Sequence, residues 1–156
     1  MIPIELCSRG PAETLEFGEV AYHPETGSLL IAGGIRSNDD GGAQFTGSEV
    51  GSYQVGSISG LAIKIAGTRF IVDPRDVTDM RKLGGAGAAL VSANEFLMIA
   101  YRLPHLPSPF MVRVAKNPDK GQGQAIAFRT WSLVAGSEQN PYVLIGVKDG
   151  EVSLFP

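Results

Sequence analysis

Leu61-Ala-Ile-Lys-Ile-Ala-Gly-Thr-Arg-Phe-Ile-Val72 is the stretch whose reading decides the fold. Both arms are rich in β-branched and aromatic residues, which suit a pleated strand. Between them, Gly67-Thr68 fits a two-residue II′ turn, with glycine where φ must be positive. The stretch predicts a β-hairpin that pairs Ile65 with Phe70 and Ile63 with Val72. The residues that follow predict a short helix over 74–83. Asp73 is placed as its N-cap, Pro74 at its first position, and Arg81 and Lys82 in the last turn, where the helix dipole favours cations. Gly84 stands as the stop, and Val77, Met80 and Leu83 form one apolar stripe.

Downstream, Ser92-Ala-Asn-Glu95 has the pattern of a capping box before an apolar run. It predicts a second helix over 93–102, with a strand over Phe96–Tyr101 as the competing reading. Phe110–Lys116 and Gln124–Ala135 read as strands. The chain closes on a second hairpin signal, Asp149-Gly150, which suits a type I′ turn. That turn pairs Lys148 with Glu151, Val147 with Val152 and Ile145 with Leu154.

Upstream, Ile4–Ser8 reads as a first strand that Arg9-Gly10-Pro11 breaks. Thr14–Tyr22 and Ser28–Ile35 read as strands joined by the turn His23-Pro24-Glu25-Thr26-Gly27. Residues 33–60 hold eight of the 20 glycines and read as a flexible Gly/Ser-rich segment, with Ser37-Asn38-Asp39-Asp40-Gly41-Gly42 as a turn or mobile loop and a weak strand at Val50, Tyr53 and Val55. The expectation is one globular domain over 1–156, mainly β: an antiparallel sandwich or partly open barrel of about seven to nine short strands with one or two short helices.

Composition narrows the function classes. Charged residues make up 19% of the 156, below the roughly 25% usual for soluble domains, and net charge is −3. An acidic balance gives no electrostatic case for nucleic acid or for an anionic membrane. Cys7 is the single cysteine, so neither an internal disulfide nor a multi-cysteine zinc site is possible. The N-terminal residues show no basic run before an apolar one, and the cytoplasm is the expected compartment.

Candidate chemistry is scattered. His23 and His105 have no ligand-spaced partner, and Gly84-Gly-Ala-Gly87 follows a predicted helix rather than a strand, so neither metal nor dinucleotide is expected, and no cofactor. Were the protein an enzyme, Asp73, Arg75, His105 and Arg129 are the residues whose acid, cationic and imidazole groups could assemble a site. Asp39, Asp40, Arg113, Arg129 and Trp131 are the candidates for binding, through carboxylates, guanidinium groups and an aromatic face. Missing catalytic signatures favour a non-enzymatic protein-interaction module such as a regulator, inhibitor or immunity-type partner. The alternatives are a small-molecule-binding β-barrel or enzyme with an Asp/Arg/His site built from distant loops, and a structural subunit of a homo-oligomer.

Overall fold

The computed structural model describes residues 1–35, 40–83, 87–93, 95–102, 107–117 and 125–156. Among them run fifteen strands: β1 (Cys7–Pro11), β2 (Val20–His23), β3 (Ser28–Gly34), β4 (Asp40–Thr46), β5 (Glu49–Gln54), β6 (Leu61–Ile65), β7 (Arg69–Val72), β8 (Val77–Asp79), β9 (Gly87–Ala93), β10 (Phe96–Arg102), β11 (Phe110–Lys116), β12 (Ile126–Phe128), β13 (Trp131–Gly136), β14 (Pro141–Lys148) and β15 (Glu151–Leu154). The only helical pieces described are 3-10 turns at Ile4–Leu6, Ala12–Thr14 and Met80–Lys82. The mainly β, antiparallel expectation holds, with more and shorter strands than anticipated.

The strands form two sheets. The larger follows the order β1-β6-β2-β3-β11-β10-β9-β12-β8, with β4 and β5 branching from β3; the smaller runs β15-β14-β13-β7. Every strand pair in them is antiparallel. The core lies between the sheets. Trp131, Leu133, Ile145 and Val147 of the small sheet pack with Leu29, Ile31, Phe45, Leu90, Ile99, Val112 and Val114 of the large one. Trp131 is 2% exposed and meets Phe45 edge-on at 6.4 Å and Phe70 at 5.8 Å. Two smaller apolar clusters cover the outer faces, one on Ala12, Ala21 and Ala62, the other on Ala89, Val91, Ala100 and Ala127.

The 61–72 stretch is not a hairpin. β6 pairs β1 on one edge and β2 on the other, so neither edge is left for β7, which pairs β13 in the small sheet. The turn at Gly67 (φ +67°) hands the chain from one sheet to the other. Arg69 secures the landing by donating to the carbonyls of Gly136 and Ser137. The predicted strand 124–135 divides in the same way. β12 pairs β8 and β9 in the large sheet, and after Arg129-Thr130 the chain enters β13 of the small one.

Neither predicted helix forms. Over 74–83 the chain makes β8 and a single 3-10 turn. Asp73 does cap, but it caps a turn: its Oδ1 accepts from the Arg75 N–H at 3.0 Å. The stripe of Val77, Met80 and Leu83 is too small to hold a helix against the ladder that β12 offers. Over 93–102 the competing strand reading is the right one, because Ile99 and Tyr101 enter the main core while Met98 and Ala100 join the outer cluster. Apolar residues on both sides fit a strand covered on both faces as well as they fit a buried helix. Arg9-Gly10-Pro11 does not break β1 but completes it at the sheet edge, where a proline costs no ladder bond. Gly41 and Gly42, expected in a turn, are in β4. The terminal hairpin holds the expected register, with Asp149 and Gly150 both at positive φ. No helix among the described residues is long and apolar enough to cross a membrane.

Candidate functional site

The candidate residues sort into two places in the fold. Asp40 and Arg113 meet in a groove; Asp73, Arg75 and Arg129 gather at a corner.

The groove forms where the two halves of the large sheet join. β11 and β3 share one register pair, Arg113 with Gly34, so the sheet is narrowest there. Gly33 makes the approach possible, since a Cβ on it would lie 1.7 Å from the Arg113 carbonyl oxygen. A glycine pair inside an aliphatic strand is the sequence signal for such close contact. Above this seam lies a hollow of about 430 Å³. Glu13, Leu15, Glu16 and Phe17 line it together with Asp40, Tyr53, Val55, Ile58 and Arg113.

Side chains around the seam are mutually braced. The Arg113 guanidinium lies over the Phe96 ring, 5.0 Å from its centre, and Phe96 meets Phe17 edge-on at 6.3 Å. Phe17 and Val55 nonetheless stay 46% and 50% exposed. Glu13, Glu16 and Asp40 are exposed, and none of their carboxylates is ion-paired among the described residues. Tyr53 extends its ring over Gly42 of β4. Its hydroxyl is buried with no hydrogen-bond partner among the described residues, and burial pushes its pKa up to about 12.

The corner is where the chain twice changes sheets. The Asp73 N–H donates to the Thr130 carbonyl at 3.0 Å, and the Arg129 N–H to the Asp76 carbonyl at 3.2 Å. The Thr130 hydroxyl donates to Asp76 Oδ2 at 2.6 Å and accepts from the Asp149 N–H at 3.1 Å. Arg129 Nη2 lies 3.1 Å from both the carboxylate and the carbonyl of Asp149. Arg75 clasps Asp73 with two guanidinium bonds of 2.9 and 2.8 Å. These bonds, together with the backbone one from Arg75, hold the Asp73 carboxyl at about 2. Asp79 is held at about 2 in the same manner by Arg81. A carboxylate so strongly acidic is a poor proton acceptor near neutral pH. The charges here tie together two sheet crossings and the β14–β15 turn.

A shallow hollow of about 380 Å³ opens beside them, lined by Ile71, Val72, Asp73, Pro74, Arg75, Thr130 and Ser132. Trp131 lies beneath this hollow as core, so it is not the exposed aromatic face the sequence suggested. Asp39 and His105 lie outside the described residues. His23 is buried. Its Nε2–H donates to the Ser59 carbonyl and its Nδ1 accepts from the Thr26 hydroxyl, both at 2.8 Å, so it staples a turn. No three His, Cys, Asp or Glu side chains converge among the described residues.

Glu13, Glu16 and Phe17 were not singled out by sequence reasoning, which placed Glu16 and Phe17 in a strand. In the structure β2 begins only at Val20, and the residues before it form a loop. Compared with known protein families, with curated proteins and with solved structures, the chain matches none.

Proposed function

We propose that the protein is a non-enzymatic protein-interaction module, and that the groove at the sheet seam receives an extended segment of a partner protein. One observation carries this reading. The groove joins half-exposed apolar side chains, Phe17 and Val55, to three exposed carboxylates that form no salt bridge among the described residues, although Arg113 also lines it. Apolar contacts supply affinity in such a groove and unpaired charges select the partner. The chemistry that complements it is a segment with Lys or Arg beside an aliphatic or aromatic residue. With net charge −3, a protein partner suits the chain better than nucleic acid. A thiol that is single and half-buried accords with the cytoplasm as the working compartment.

The test is a random-peptide display selection against the wild type and against Glu13→Lys/Glu16→Lys/Asp40→Lys. Wild type should enrich segments with a basic residue flanked by apolar ones, and the variant should not. No enrichment, or the same enrichment on both proteins, counts against the groove.

A second reading rests on the corner. Asp73, Arg75 and Thr130 line one hollow with Arg129 beside it, an arrangement that a small anionic or polar metabolite could enter. Thermal melting against a metabolite panel tests it, because a ligand at 100 times its dissociation constant stabilises by about 2.7 kcal/mol.

A further inference from the structure

We propose that β7 pairs antiparallel with β7 of a second copy of this chain, about a twofold axis at Ile71. β7 is an end strand of the small sheet, with β13 as its one neighbour. The bond from the Asp73 N–H to the Thr130 carbonyl fixes which residues face that neighbour. Antiparallel ladders alternate every second residue, so Asp73, Ile71 and Arg69 direct their backbone groups at β13. The N–H and C=O of Phe70 and Val72 point outward, a template for a further strand.

The edges of the described sheets are guarded in different ways. β1 carries Arg9 and Pro11, β5 begins at Glu49, β8 ends at Asp79 and β15 begins at Glu151. Charges and prolines of this kind are how proteins block edge pairing. β7 has Arg69 at its start and Asp73-Pro74 beyond its end, and between them it exposes Ile71 and Val72, at 44% and 36%.

One register uses all that the edge offers. Setting Phe70 opposite the partner's Val72 engages every outward N–H and C=O of both strands. It also stacks Ile71 on the partner's Ile71 and sets Arg69 opposite the partner's Asp73. Arg69 bonds only neutral carbonyls, those of Gly136 and Ser137, so its charge has no acidic partner among the described residues. The partner's Asp73, which its own Arg75 already clasps, adds an acidic group beside it. The small sheet then continues unbroken across the axis.

Sedimentation velocity over a concentration series tests this. The wild type should pass from 16.5 kDa toward twice that mass as concentration rises. Ile71→Lys sets like charges face to face on the axis and should remain monomeric where the wild type is dimeric, while melting at the wild-type temperature at concentrations low enough for both to be monomers. Ile71→Cys in a Cys7→Ser background should oxidise to a covalent dimer, since directly opposed residues of this pair type have Cα atoms about 4.5 Å apart, within disulfide reach. A wild-type mass of 16.5 kDa at every concentration overturns the proposal, and so does a dimer that Ile71→Lys leaves intact.

Discussion

In the groove, Glu13, Glu16 and Asp40 reach solvent without a salt bridge among the described residues, whereas at the corner Asp76 and Asp149 each hold a donor from a neighbouring turn and Asp73 holds Arg75 of its own. The residue types are alike and the accounting differs. At the corner, sheet crossings leave backbone and side-chain groups that must be satisfied locally, and the charges do that. At the groove no sheet crossing calls on the carboxylates, and those on its rim form no salt bridge among the described residues. Charge richness in sequence therefore marked the corner more strongly, although the groove is the better candidate for binding.

The comparison can be broken by variants on either side. The largest effect is expected beneath the corner, where Trp131→Ala removes the side chain on which both sheets close and should cost about 3–5 kcal/mol in denaturant unfolding. Gly33→Ala drives a Cβ into the Arg113 carbonyl at the seam. It should cost about 1–3 kcal/mol or more by the same measurement, because the obstacle is backbone and cannot rotate away.

Asp76→Ala strips the Thr130 hydroxyl of its acceptor and should cost about 1–3 kcal/mol, with peptide binding unchanged. If it abolishes binding while the fold persists, the corner is functional and the division fails. Tyr53→Phe sharpens the groove side. Removing a buried hydroxyl that lacks a partner should leave stability equal or raised, by up to about 1–3 kcal/mol.

The smallest effect concerns pH. Asp73 and Asp79 titrate near 2 in the folded chain, below their ordinary value of 3.8. A depressed folded pKa adds stability that is complete above the unfolded value and fades as pH falls through the folded one. The melting temperature should therefore drop between pH 4 and 2. Asp73→Asn/Asp79→Asn should flatten that drop slightly, because both pairs are exposed to solvent screening.

Local grammar carried part of this structure and misplaced the rest. Asp149-Gly150 specified its hairpin down to the pairs Lys148–Glu151 and Ile145–Leu154. Gly67-Thr68 offered the same kind of signal, yet its two arms belong to different sheets. A turn signal reports that the chain bends; which strands then pair depends on whether an edge is free, and β6 had none left. The helix signals failed for a related reason. Asp73 caps a tight turn before β8 and Glu95 stands in the turn before β10, and such turns precede strands as readily as helices. Of the site, Asp40 and Arg113 were legible as charged residues but not as neighbours, because 73 positions separate them and their meeting depends on the seam.

Titration of one basic-apolar peptide from the display selection onto three proteins tests the division most directly: the wild type, Glu13→Lys/Glu16→Lys/Asp40→Lys, and Asp73→Asn/Arg75→Gln, each with its melting curve beside it. The groove variant should lose binding while still melting cooperatively, and the corner variant should bind as the wild type does. Binding that survives in the groove variant and vanishes in the corner variant would contradict the account.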